Sequence, residues 1–261
     1  MADKHAPGLN EGTADQRRRW LSQFWGSTIG KKMVVATTGA IMGLYVIAHM
    51  LGNLKGFQGN GDGGTAPIDT YGAWLRTLGE PALPYSGALW IVRAVLVGAL
   101  VLHVVAIVQL SKRNQLAKPK HHQPPRIQRS LASRTMLWGG LLLLAFIVVH
   151  ILQFTTLTLE VTPLTEGAVY ANLYSVFQEW YFVVFYVLAM AFLLLHLRHG
   201  IWSVMQTMGW DKPNRNRTFR RTASVIAVAV SVGFALVPVG FWLGVAPAPT
   251  PENATASAEV P

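Results

Sequence analysis

The chain has 261 residues, of which 51% are hydrophobic and only 13% carry a charged side chain. A soluble domain has about 25% charged residues, so this composition predicts an integral membrane protein. The net charge of +10 could suggest nucleic-acid binding, but the basic residues cluster in alternate segments between apolar stretches, and no nucleic-acid partner is expected. The absence of cysteine excludes disulfide bonds, thiolate-bound iron–sulfur clusters and c-type haem attachment.

Five apolar stretches are each close to the ~20 residues that an α-helix needs to cross a bilayer. They cover residues 33–52, 88–110, 136–159, 180–207 and 223–245. Because only helices and closed barrels satisfy all backbone polar groups in lipid, we predict an all-α integral membrane protein with a five-helix bundle over residues 27–245. Residues 1–26 form a polar cytoplasmic arm, and residues 246–261, rich in Pro, Ala, Thr and Glu, are predicted to be a disordered external tail.

The connecting segments differ sharply in charge. The segment before the first span (residues 1–32), the loop between the second and third spans and the loop between the fourth and fifth hold 18 Lys and Arg residues, whereas the alternate segments hold only Lys55 and Arg76. This asymmetry predicts a cytoplasmic N-terminus and an external C-terminus. In the first outer loop, a Gly-rich stretch precedes a predicted interfacial helix over residues 68–76. His121 and His122 lie in the basic loop 111–134 and are interpreted as loop residues, not ligands.

Four of the five spans carry one histidine each: His49, His103, His150 and His196. Each lies 16 or 17 residues beyond the point where its helix enters the membrane, which corresponds to ~25 Å of travel through a ~30 Å core. Because helix direction alternates, His49 and His150 are predicted near the outer face and His103 and His196 near the inner face. Two levels with two histidines each are what two stacked, bis-histidine b-type haems require, and this ligation favours electron transfer.

Other interpretations of these polar residues remain open. A membrane histidine can simply hydrogen-bond between helices, whereas a proton relay or zinc site would want the histidines at one level with carboxylates nearby, and no Asp or Glu lies inside a predicted span. Arg93 and Arg198 could pair with haem propionates at the outer and inner levels, or their side chains could extend to the interface. His199 is either a hydrogen-bond donor behind the ligands or a surface histidine.

Several short motifs together resemble the membrane-anchor cytochrome b subunit of succinate:quinone oxidoreductases, the five-helix di-haem cytochrome b558 family. The matching segments are Ser27–Lys32, His49–Leu54, Trp90–Arg93 with His103, His196–Ser203 and Gln206–Gly209. The resemblance covers about residues 25–245.

The resemblance implies that His103 and His196 hold a proximal haem and that His49 and His150 hold a distal one. It also implies a flavoprotein subunit and an iron–sulfur subunit on the cytoplasmic side, location in a bacterial cytoplasmic membrane, and the succinate dehydrogenase (complex II) role that links the tricarboxylic acid cycle to the respiratory chain. Electrons would pass from the proximal to the distal haem and on to quinone, usually menaquinone, so this chain would hold no succinate site. Ser27, in the first matching segment, is a further predicted cofactor contact. The whole complex could form a higher oligomer.

One position departs from the family pattern. Related fumarate reductases that return protons through a glutamate have it two residues before the last haem ligand, where this chain has Leu194. This difference favours succinate oxidation. By position alone, Asp69, Tyr71 and Glu80 in the first outer loop are candidates for the quinone site, although each could be an ordinary loop residue.

Two other classes compete with this interpretation. The chain could be the di-haem cytochrome b of another quinone-linked dehydrogenase, such as a formate dehydrogenase or hydrogenase. It could also be a haem-free membrane anchor or a transporter, although transporters often have more helices and internal repeats. A cytochrome b of the bc type is disfavoured because it places two histidines on each of two helices.

Overall fold

The computed structural model describes residues 9–61, 65–117, 131–211 and 214–251, and over these residues it is helical with no β-strand. The α-helices are α1 (Leu9–Gly26), α2 (Thr28–Asn53), α3 (Pro67–Thr77), α4 (Gly87–Leu116), α5 (Leu131–Phe154), α6 (Val169–Phe177), α7 (Trp180–Thr207) and α8 (Asn216–Trp242), and a 3-10 helix follows α2 at Leu54–Gln58. Helices α2, α4, α5, α7 and α8 are long and apolar enough to cross a bilayer. The predicted all-α five-helix membrane bundle is therefore confirmed.

The observed ends of the spans have local causes. Helix α7 has the predicted bounds, whereas α2 begins five residues earlier than predicted because the Ser27 hydroxyl caps it, accepting the N–H of Gly30 at 2.8 Å. Helix α8 begins at Asn216 and not at residue 223. The prediction used the apolar stretch alone, whereas the helix includes two further turns that carry arginines. Helix α5 ends at Phe154, five residues earlier than predicted.

Helix α7 is central to the bundle. It packs against α2, α5 and α8, and α2 packs in addition against α4 and α8. The contact between α2 and α8 is tight, since a Cβ at Gly233 would lie 2.6 Å from the sulfur of Met50. In the described part of the chain, neither α2 with α5 nor α4 with α7 is among the closely packed pairs. The bundle therefore leaves a separation between the two helices of each of these pairs.

A cap of short elements covers the outer end of the bundle under the predicted orientation. Helix α3 matches the predicted interfacial helix, and α6, which the sequence analysis missed, packs against α3 and α8. Tyr170 and Phe241 are fully buried in this cap, with ring centroids 5.4 Å apart. The cap joins parts of the chain that are far apart in sequence.

The first residues of the tail predicted to be disordered, residues 246–261, have ordered contacts in the structure. Ala246 is fully buried, the Tyr170 hydroxyl donates to the carbonyl of Pro247 at 2.7 Å, and the Asn60 amide donates to the carbonyl of Ala248 at 3.0 Å. The first residues of this segment are therefore ordered by the cap, and residues 252–261 lie outside the described residues. Residues 1–8, 62–64, 118–130, which include His121 and His122, and 212–213 lie outside them as well.

Candidate functional site

The outer histidine pair joins α2 to α5. The ring centroids of His49 and His150 lie 5.8 Å apart, with the ring planes at 75°. Tyr45 stacks on His49 at 5.4 Å, and Phe146 stacks on His150 at 5.8 Å. Because α2 and α5 are not closely packed, the two rings lie across the space between these helices.

The inner histidine pair joins α4 to α7. The ring centroids of His103 and His196 lie 6.5 Å apart, with the planes at 51°. Along α2, Thr38 contacts His103 and lies 11 residues before His49, so the two pairs are separated by ~16 Å along this helix. The structure thus brings the four histidines together in the two pairs, and at the two levels, that the depth argument predicts.

A hydrogen-bond chain fixes the proton on His150. The Tyr186 hydroxyl donates to Oε1 of Gln153 at 2.8 Å, and Nδ1 of His150 lies 3.3 Å from the same hydroxyl oxygen. Since the hydroxyl proton is used on Gln153, the oxygen accepts a hydrogen bond from Nδ1–H of His150. The lone pair of the imidazole is then on Nε2, the nitrogen left for a metal.

A second series of hydrogen bonds determines which nitrogen of His103 carries the proton. The Thr38 hydroxyl donates to the carbonyl of Val34 at 2.7 Å and lies 3.1 Å from Nδ1 of His103. Its oxygen therefore accepts from Nδ1–H, and the lone pair is again on Nε2. In each pair, one histidine is therefore oriented by a hydroxyl that lies on another helix: His150 by Tyr186 of α7, and His103 by Thr38 of α2.

Two buried polar atoms at the pairs have no hydrogen-bond partner in the described structure: Nδ1 of His196 and Nε2 of Gln153. Gln153 is only 1% exposed. Buried polar atoms are nearly always satisfied, so both atoms are open to a hydrogen bond from a group bound at the pairs.

The residues present fit a flat, metal-bearing group such as haem. A metal ~2 Å from one nitrogen of each ring places the ring centroids roughly 6 Å apart, close to both measured separations. Small residues flank the inner pair: a Cβ at Gly39 would lie 3.3 Å from Cε1 of His103, and one at Gly140 would lie 3.7 Å from Cε1 of His196. Over the described residues, no group of three or more His, Asp or Glu side chains is arranged to hold a metal ion.

The remaining predicted cofactor contacts have varied surroundings. Arg93 lies over the ring of Trp90 at 5.0 Å and is close enough to Tyr45, which stacks on His49, to interact with it electrostatically. The ring of His199 meets Trp202 at 6.3 Å between centroids. The Ser27 hydroxyl is used in the cap of α2, where it also donates to the carbonyl of Phe24.

The structure does not bring the three quinone candidates together. Tyr71 lies against α2, where a Cβ at Gly52 would meet its ring at 3.0 Å, three residues beyond His49. Asp69 faces α6 instead, and its Oδ1 accepts the backbone N–H of Tyr170 at 2.9 Å. Glu80 is exposed on the turn after α3.

Asp69 is a buried carboxyl in the outer cap. It is 8% exposed, and its Oδ2 is buried without a hydrogen-bond partner in the described structure. Burial raises the pKa of Asp69 to about 6 from an ordinary 3.8, and the N–H groups of Tyr170 and Val169 oppose this rise. The pKa of Asp69, which connects α3 to α6, therefore lies at about 6.

Sequence reasoning missed the side chains that orient the histidines. Gln153 carried a signal, because an amide inside an apolar span needs a partner. Tyr186 lies in an aromatic-rich run, and Thr38 lies beside a second threonine, so neither stood out. Comparisons of the chain with protein-family models, with curated proteins and with solved structures give no match.

Asp69→Asn tests the effect of the buried carboxyl on the cap. The folded state raises the pKa of this acid, so it binds the proton more tightly than the unfolded state, and stability present below about pH 4 is lost as the pH rises to about 6. We expect the thermal stability of the wild-type protein, relative to the Asn variant, to fall across this window and then stay level. Thermal unfolding in detergent between pH 4 and 7.5 measures this.

Glu80→Gln is the matched control, since it removes an exposed carboxylate next to the same cap. Its stability should follow that of the wild-type protein at every pH. Parallel curves for wild type and Asp69→Asn would contradict the buried-carboxyl argument.

Proposed function

We propose that this chain is the di-haem membrane-anchor cytochrome b subunit of a succinate:quinone oxidoreductase. The observation that carries the proposal is the pair of facing histidines at each of two membrane levels, each pair lying between helices that are not closely packed. Two haem b groups, His49/His150 distal and His103/His196 proximal, fit this arrangement. Bis-histidine haem supplies one-electron transfer without an open coordination position.

The chain's own contribution is to hold and orient four imidazoles in lipid. The hydroxyls of Tyr186 and Thr38 select the tautomer of His150 and His103, leaving Nε2 of each for iron. The separation of ~16 Å between the pairs gives one carrier near each membrane face, which an electron-transferring anchor requires.

The partners and the substrate follow from the resemblance. A flavoprotein and an iron–sulfur subunit on the cytoplasmic side would supply electrons, and a quinone, menaquinone in the usual case, would accept them near the outer pair. Of the three quinone candidates, Tyr71 has the strongest support, because it lies against α2 just beyond His49. Asp69 is turned towards α6, so its contribution would be to hold the cap next to the site.

The histidine arrangement also suits a second candidate, the di-haem cytochrome b of another quinone-linked dehydrogenase. The motifs around His49 and His196 favour the first. Affinity purification of the tagged chain from its native membrane distinguishes the two. We expect a flavin-bearing, succinate-oxidising subunit and an iron–sulfur subunit to copurify, whereas a formate- or hydrogen-oxidising partner would support the second candidate.

Substitution of single histidines tests the ligand pairs. His49→Ala and His150→Ala should remove the same haem, and His103→Ala and His196→Ala the other, because six-coordinate iron needs both imidazoles. Each variant should lose about half of the b-type α-band in a reduced-minus-oxidised spectrum. Redox titration then shows which component is missing.

Gln206→Ala is the matched control for the ligand variants, since it removes an exposed polar side chain of the same helix α7 that carries His196. It should keep both α-band components. Loss of different haems from His49→Ala and His150→Ala would refute the pairing, and a wild-type protein without an α-band would refute the function.

Removing the hydroxyls that accept from the histidines should shift potentials without removing haem. An imidazole that donates from Nδ1 is a more basic ligand and stabilises ferric iron, so Tyr186→Phe should raise the potential of the distal haem only. Thr38→Val should raise that of the proximal haem only, and Thr38→Ser should restore it. Spectroelectrochemical titration measures both, and unchanged potentials would show that the hydroxyls do not act through the ligands.

A further inference from the structure

A cleft between α7 and α8 is rich in arginine. Its basic lining comes from Arg198 on α7 and from Arg217, Arg220 and Arg221 on α8, and its volume is about 700 Å³. Asn216, Ser224 and Val225 complete the lining. We call this site the arginine cleft.

The residues of α8 in the cleft form one stripe along the helix. Positions 217, 220, 221 and 224 have the i, i+3, i+4 and i+7 spacing that places side chains on the same face. On α7, Arg198 and Trp202 are four residues apart and share a face. The guanidinium of Arg220 lies 4.2 Å from the ring centroid of Trp202, which holds this arginine in place across the two helices.

The positive charge of the cleft is not neutralised by the described residues. No carboxylate lines the cleft, no ion pair forms to its four arginines in the described part of the chain, and all four are exposed. Asp211, which lies between α7 and α8 in the chain, accepts instead from the side-chain amide of Asn216 at 3.0 Å. Four guanidinium groups without an ion pair along one open cleft suit an anion that carries several oxygen atoms.

The apolar surroundings of the cleft favour a lipid as the source of this anion. The cleft lies at the start of membrane-spanning α8, and Val225, which is 67% exposed, continues its wall towards the apolar part of the helix. Under the predicted orientation this end of α8 lies at the cytoplasmic leaflet. Basic pockets between transmembrane helices on that side bind anionic lipid headgroups.

The cleft is distinct from the histidine pairs. His196 and Arg198 are two residues apart on α7, which turns their directions by ~200° around the helix. His196 faces His103 on α4, whereas Arg198 borders the cleft with α8. A group bound in the cleft is therefore on the other side of α7 from one held by the inner histidines.

We propose that the arginine cleft binds the phosphate headgroup of an anionic phospholipid from the cytoplasmic leaflet. The arginines contact the phosphate oxygens, and the acyl chains follow the apolar surface that begins at Val225. This inference depends on the helix bundle and on its predicted orientation, and it holds whether or not the chain carries haem.

The test compares two variants that lose the same charge. Arg217→Gln/Arg221→Gln removes two cleft arginines and keeps the Arg220–Trp202 contact. Lys32→Gln/Lys112→Gln removes two exposed charges from the same membrane side but outside the cleft. Native mass spectrometry of the full-length chain in detergent, titrated with phosphatidylglycerol or with phosphatidylcholine, measures lipid affinity.

We expect the wild-type protein and the lysine variant to bind phosphatidylglycerol at least tenfold more tightly than phosphatidylcholine. The cleft variant should lose about tenfold or more of the phosphatidylglycerol affinity, and Arg217→Lys/Arg221→Lys should recover most of it. Circular dichroism and size-exclusion profiles equal to wild type confirm that the cleft variant is folded.

Several results would overturn the proposal. Equal losses in both charge-removal variants would show only a diffuse surface charge, and displacement of phosphatidylglycerol by equimolar inorganic phosphate would show a free-phosphate site. Loss of a haem band in the cleft variant would assign the arginines to a haem propionate. Loss of a soluble subunit with phosphatidylglycerol affinity unchanged would make the cleft a protein-docking surface.

Discussion

A polar side chain inside a membrane must find its partner within the protein, because lipid offers none. This constraint explains the surroundings of the histidine pairs. The hydroxyl of Tyr186 is placed between Gln153 and His150, and that of Thr38 between the carbonyl of Val34 and His103. In each case one hydroxyl satisfies two groups and fixes an imidazole in one tautomer. Thr38, Gln153 and Tyr186 are all buried, so these polar groups lie on the inward-facing sides of α2, α5 and α7.

Helix α7 carries residues of both histidine pairs and of the arginine cleft. Towards its outer end Tyr186 orients His150, further along His196 faces α4, and beyond it Arg198 borders the arginine cleft with α8. Successive turns of one helix therefore contact α5, face α4 across the inner histidine pair and contact α8. A rotation of α7 about its axis would therefore disturb both histidine pairs and the cleft together.

The histidine pairs could be predicted from the sequence because two simple signals determine them. Basic loops give the direction of each helix, and the offset of each histidine from the membrane edge gives its depth. The partners of these histidines could not be predicted. Tyr186 resembles the phenylalanines around it, and a threonine within a helix, such as Thr38, commonly bonds only to its own backbone. Their role depends on which helices become neighbours, and a single sequence does not contain that information.

Only part of the outer cap was predicted: helix α3 was, and the ordered residues 246–250 were not. The amphipathic pattern of α3 is local, so it was visible in the sequence. The order of residues 246–250 depends on partners elsewhere, since Pro247 accepts from Tyr170 and Ala248 from Asn60. Composition rich in Pro, Ala and Thr predicts disorder when no such partner is known.

The contacts of Asn60 have a consequence for how the protein is made. Its side chain bonds to Ala248 and Thr250, which follow it by 188 and 190 residues. During synthesis the loop that carries Asn60 therefore exists long before the segment that secures it. The cap cannot close over this end of the bundle until residues 246–250 have been made, which is after all five spans.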